Sequence, residues 1–273
     1  MAGYSRPGVR RLWNWRVLLY VVCALICVFL IVPVLVIFPL SFNASEYFSF
    51  PIKSYSLRWY AEFFGDPKWQ AALWKSLQIG VLSTIVSTFL GTAASLGMRR
   101  LSGPLRAGVL AVFLAPLVVP LVVSAVGLFY VFARLHLVGT VTGIVIAHSI
   151  LAIPFVVITV TAALSKFDPV LERAGLSLGA GPVRVFFTVT LPAIRAGVVS
   201  GAIFAFVTSW DEVVAVIFIA TAQQFTIPRL MWSGVRENIS PTLLAAAVVI
   251  TAVSLCLMLC AALIRRSDGG AER

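Results

Sequence analysis

Charge is scarce in this chain. Asp, Glu, Lys and Arg make up 11% of its 273 residues, while 60% are apolar. A soluble domain carries roughly twice that charged share. One aqueous core cannot bury so much apolar surface, which excludes an ordinary soluble fold. The signatures of chemistry are missing too. There is no G-x-x-x-x-G-K-[ST] cradle, so ATP is not held here through a Walker motif. No His-Glu-x-x-His pair, nucleophile elbow or clustered metal set occurs, which predicts a non-enzyme without cofactor or metal. The four cysteines, Cys23, Cys27, Cys256 and Cys260, form two C-x3-C pairs with no His beside them. That spacing does not fit a zinc knuckle, and the pairs read as small apolar fillers of the first and last apolar runs. Internal repeats and low-complexity tracts are absent. No folded basic domain is present to bind nucleic acid, so the net charge of +11 needs another origin.

Long apolar runs are what the chain has in abundance. Six are long enough to cross a bilayer core, roughly 17–41, 72–98, 107–133, 142–164, 196–220 and 242–264. Helix is the expected state, because an open strand leaves backbone groups unpaired in lipid. The predicted fold class is all-α: a polytopic membrane protein with six transmembrane helices and a cytoplasmic helical hairpin, forming one domain over 1–273. An even number of spans puts both termini on one side. Fourteen of the 21 Lys and Arg fall there, among them Arg6, Arg10, Arg11, Arg16, Arg99, Arg100, Arg106 and Arg273. Positive residues mark the cytoplasmic side. Both termini are therefore expected in the cytoplasm, with the bilayer as the first partner, and the basic charge is a topological signal. The run from Val17 is too long for a signal-peptide core and lacks a cleavage site, so it reads as a retained anchor.

The connections carry their own signals. Trp13, Trp15 and Tyr20 suit a membrane interface. The long outer connection, 42–70, holds Phe48, Phe50, Trp59, Phe63 and Trp69, which predicts a packed cap with a short helix near 57–64. Pro116 and Pro120 are expected to kink the third span, since proline frees backbone carbonyls. The fourth connection, 165–195, is more polar. Asp168-Pro169 starts a helix, Gly179 stops it, and Gly181-Pro182 turns the chain into a second helix. A bend is expected at Leu191-Pro192. The product is a hairpin on the cytoplasmic surface, with an amphipathic helix lying on lipid as the plainer reading.

That segment resembles the coupling motif of binding-protein-dependent ABC importer permeases, whose pattern is E-A-A-x3-G-x9-I-x-L-P. Arg173 stands at the family's Glu, with Glu172 one position away. Ala174 matches, Gly175 replaces the second Ala, Gly179 matches, Val189 stands for Ile, and Leu191-Pro192 match. Phe204-Ala205-Phe206, Ser209-Trp210-Asp211-Glu212, Thr226-Ile227-Pro228 and Ser240-Pro241 resemble the spermidine/putrescine branch, whose relatives are thought to carry opines, other amines or iron. The resemblance implies an inner-membrane permease subunit forming half of a pathway. Its implied partners are two ATPase subunits gripping the hairpins, a second and non-identical permease, and a periplasmic substrate-binding protein. It also implies that Glu172, Arg173, Ala174, Gly175, Gly179, Leu191 and Pro192 serve ATPase coupling.

Asp211 and Glu212 stand inside the expected fifth span, where a carboxylate costs about 2.5–3.5 kcal/mol. Three uses fit them: attracting a cationic solute, tying helices through Ser209 and Thr208, or a proton-linked role. Trp210 fits either a cation–π contact or simple packing. His148 reads as a helix-packing hydrogen bonder, and Gly197-x3-Gly201 as a site of close helix approach. An ion-driven secondary transporter and a membrane assembly factor are the other classes, the first normally marked by inverted repeats.

Overall fold

A computed structural model describes residues 9–47, 51–221, 223–237 and 240–269. Arg6, Phe48, Phe50 and Arg273 lie outside the described residues. Helices dominate, and among the described residues the β structure is one antiparallel bridge, Asn43 to Tyr55. In chain order the helices are α1 (Val9–Leu40), α2 (Arg58–Gly65), α3 (Pro67–Met98), α4 (Gly103–Val118), α5 (Leu121–Arg134) and α6 (Val141–Leu164). There follow α7 (Pro169–Ser177), α8 (Pro182–Val185), a π-helical turn (Phe186–Thr190), α9 (Leu191–Trp210), α10 (Val214–Ile219), α11 (Ile227–Glu237) and α12 (Thr242–Gly269).

Local chemistry sets the helix starts. The Asp66 carboxylate accepts from the Lys68 N–H at 2.6 Å, and Pro67 fills the first helical position of α3. The Thr140 hydroxyl accepts from the Gly143 N–H at 2.9 Å to open α6. Just before it, His136 and Gly139 take φ of 55° and 77°, which closes the tight turn from α5.

Five helical stretches are single spans by length and composition: Trp15–Leu40, Pro67–Met98, Val141–Leu164, Pro182–Trp210 and Thr242–Cys260. The expected third span is not one helix. It breaks into α4 and α5, bent by 105°. Proline disfavours helical geometry in the residue before it, and Val119 ahead of Pro120 is extended, at ψ 131°. Pro116 is absorbed within α4. The expected fifth span is also corrected. Its helix starts earlier, in the hairpin, and stops at Trp210, before the acidic pair. At Leu191-Pro192, where a bend is expected, the chain stays helical. Proline removes one helical donor, and the chain accommodates it with the π turn, in which the Leu191 N–H bonds the Phe186 carbonyl.

The core is built on α6, flanked by α3 and α9. Small residues let these helices approach. Cβ atoms on Gly197 and Gly201 would lie 2.5 Å from the Ala163 Cβ and 2.6 Å from the Thr159 Oγ1, so the G-x3-G pair sits directly on α6. Ser83 reaches the Val145 carbonyl at 3.4 Å and Ser95 the Val157 carbonyl at 3.5 Å. Those pairings make α3 and α6 parallel. Gly201 against Val156 and Ser209 against His148 make α9 antiparallel to both. One end of the bundle is capped by α2, where Phe63 and Trp69 are buried with Trp210, Ile227 and Leu243. α1 ends at this cap, with Ser41 bonded to Tyr60 at 2.7 Å, and α12 begins beside it. The opposite ends of both helices therefore lie toward the hairpin. Along its apolar window α1 is wholly unburied within the chain.

Candidate functional site

Two places concentrate the polar groups singled out in the sequence, one at each end of α9. The first is the hairpin. The Asp168 carboxylate accepts from the Val170 N–H at 2.8 Å, Pro169 follows, and α7 runs to Ser177. Its end is a Schellman closure. The Ala180 N–H bonds the Gly175 carbonyl at 3.2 Å and the Gly179 N–H bonds the Leu176 carbonyl at 3.0 Å. Gly179 has φ +84°, a left-handed conformation that side chains resist. Gly175 faces the returning chain, where an added Cβ would meet Val185 at 3.1 Å. The family's second Ala is thus replaced where the two arms of the hairpin touch.

The charged neighbours in α7 point to different places. Glu172 turns inward. Its Oε1 lies 3.0 Å from the Arg99 Nη1 and accepts the Thr190 hydroxyl at 2.7 Å. Partial burial opposes its charge, but the bonds from Thr190 and Arg99 outweigh that and hold the carboxyl below its ordinary range. Arg173 and Ala174 are exposed. So are Val170, Leu171, Leu176, Val183 and Phe187, with Leu178 at 89%. Leu191 is half-buried and Pro192 exposed at the foot of α9. Arg99 and Thr190 escaped sequence reading. Arg99 looked like a topological charge only, and Thr190 carried no signal of its own.

The second place is the break after α9. The last helical bond runs from the Asp211 N–H to the Val207 carbonyl at 3.1 Å. Glu212 is buried, and its Oε1 accepts from the Ala215 N–H at 2.9 Å, closing the start of α10. Asp211 is exposed and borders an open cleft of about 300 Å³ with Val213, Pro228, Met231, Trp232, Val235 and Ile250. Trp210 is only 2% exposed and stacks on Phe206, with ring centroids 5.5 Å apart. It packs the cap and does not line the cleft. The aromatic ring that does is Trp232, half-exposed, with the Arg236 guanidinium 5.8 Å from its centroid. Sequence reading missed Trp232 because nothing in the chain links it to a residue 21 positions earlier. Ser209 bonds the buried His148 at 2.7 Å and Thr208 bonds the Phe204 carbonyl at 2.8 Å, so those hydroxyls are satisfied without the acidic pair. One of the two acids is thus a backbone cap, and the other opens on an apolar cleft with an aromatic wall.

The chain has clear relatives. The family described as binding-protein-dependent transport system inner membrane component matches residues 87–267. The putrescine transport system permease protein PotI of Escherichia coli (strain K12) is 32% identical over 252 residues, covering 89% of this chain and 87% of that protein. The spermidine/putrescine transport system permease protein PotC of the same strain is 28% identical over 241 residues, covering 87% and 90%. A crystal structure of a bacterial ABC transporter involved in import of the acidic polysaccharide alginate shares the fold. Its TM-score is 0.71 at 15% identity, covering 94% of this chain and 96% of that one. With the family matched over most of the chain, its helices long enough for a bilayer and its relatives transport permeases, the chain belongs to the binding-protein-dependent inner membrane components and is a multi-pass permease subunit of an ABC importer.

Proposed function

We propose that this permease forms half of a pathway for small organic cations, with polyamines such as putrescine or spermidine as the foremost solutes. The observation that carries this reading is Asp211, a carboxylate opening on an otherwise apolar cleft walled by Trp232. An alkyl diamine matches that surface: its ammonium meets the carboxylate, and its methylenes meet the Trp232 ring, Met231, Val235 and Ile250. The relatives named for putrescine and spermidine point the same way. Fold alone selects no solute, since the alginate system moves a polyanion on the same architecture.

The driving step is expected at the other end. Two ATPase subunits hold the hairpins of this chain and of a second, non-identical permease, and a periplasmic binding protein delivers the solute to the cap. The exposed apolar face of the hairpin, with Leu171, Leu178 and Val183, is the surface they cover, and Arg173 supplies its charge. Both termini and the hairpin lie in the cytoplasm, in line with the basic residues gathered on that face. Nucleotide binding closes the ATPase pair, and the helices pass from inward-open to outward-open. Such a switch works only because nucleotide binds the two states with different affinity.

The test is uptake of labelled putrescine by the Asp211→Asn variant of the assembled complex. Loss of one charge-assisted contact predicts a fall of about 10- to 100-fold with assembly intact. Unchanged uptake would remove Asp211 from the pathway.

A further inference from the structure

Glu172 does more than occupy a displaced position in the coupling segment. Its carboxylate bonds two groups remote in sequence: Arg99, 73 residues earlier, and Thr190, 18 residues later. Arg99 follows the last turn of α3, and Thr190 leads directly into α9. Arg99 is also held by the Phe167 ring, 5.3 Å from its guanidinium, just beyond the end of α6. The group therefore sits where all three core helices meet the hairpin. The Arg99 and Glu172 side chains are 23% and 28% exposed, so water screens the pair only in part. Thr190 itself is buried. Apolar contacts between hairpin and bundle tolerate sliding. A carboxylate held by a guanidinium and a hydroxyl has one preferred geometry and resists it.

We propose that Glu172 is a positioning residue: it locks the hairpin to the end of α3 and the foot of α9, so a displaced hairpin carries both helices with it. The inference rests on the coupling role assigned above. It also divides the labour of neighbouring residues. Arg173 faces outward, toward the ATPase, while Glu172 faces the helices that must move.

The experiment uses the complete transporter in proteoliposomes. Three quantities are measured together: ATPase subunits retained on purification, ATP hydrolysed, and putrescine taken up. The variants are Glu172→Gln, Arg99→Gln, and the exchange Glu172→Arg with Arg99→Glu. Each single variant should keep its ATPase subunits and continue to hydrolyse ATP. Uptake per ATP should fall at least about five-fold, the lower end of coupling between sites. The exchange should restore most of it, since Thr190 can donate to a carboxylate or accept from a guanidinium. Normal uptake per ATP in the single variants would overturn the proposal. So would loss of the ATPase subunits from them, which would make Glu172 a docking residue, or failure of the exchange to recover coupling. If the unsubstituted chain retained no ATPase subunits, the coupling role itself would fall, a result distinct from the others.

Discussion

Adjacent acids with separate tasks are the clearest lesson at the level of single residues. Glu212 is committed to the backbone of α10, so Glu212→Ala should lower thermal stability in detergent by about 0.5–2 kcal/mol, the usual worth of a helix cap. Asp211 borders the cleft, and under the proposed function its replacement by Asn acts on uptake. Gly179→Ala forces a side chain into left-handed backbone, at a cost of about 1–2 kcal/mol. Faster hydrogen exchange in the hairpin alone would report that loss. The Glu172 carboxyl is held below its ordinary range. Its contribution is therefore complete above the ordinary carboxylate range and disappears as pH falls through the lowered folded value. Exchange protection of α7 should stay constant from neutral pH to mild acid and then drop, whereas Glu172→Gln should show no such drop. Whereas the acidic pair was expected inside a helix that stops just before it, the glycine stop and the Asp168 cap were legible in the sequence, because each has a local rule. The partners of Glu172 and the choice of Trp232 over Trp210 were not, because they depend on which helices meet.

Elements were legible in number more than in shape. Apolar length located every span, yet two of them are broken or displaced. Two prolines about one turn apart among apolar neighbours look alike in sequence; only at Pro120 does the preceding residue leave the helix. The π turn before Leu191 was hidden for a similar reason, since a missing donor is absorbed either by a bend or by a wider turn. The G-x3-G pair of α9 packs directly on α6, and this carries a test. Gly201→Leu places a bulky group where a Cβ alone would lie 3.0 Å from the Val156 Cα. Overpacking of this kind costs about 1–3 kcal/mol, so the variant should melt at lower temperature. Gly108, with open space around its Cβ position, should accept alanine without such a change.

Across the whole molecule, the hairpin and the cap occupy opposite ends of the bundle. With the native cysteines replaced, a cysteine at exposed Ser165 should react with an impermeant maleimide only from the cytoplasm, and one at exposed Leu57 only from the periplasm. The reverse pattern would invert the topology. Between those ends runs the stretch Pro182–Trp210, 29 residues of uninterrupted helical chain. At 1.5 Å per residue it is about 43 Å long, so a tilt of about 5° at its foot sweeps its tip through about 4 Å. That arc is comparable to the width of an ammonium group. Under the proposed function, that shaft converts a small rocking at the hairpin into the difference between a mouth that admits a diamine beside Asp211 and one that shuts it out.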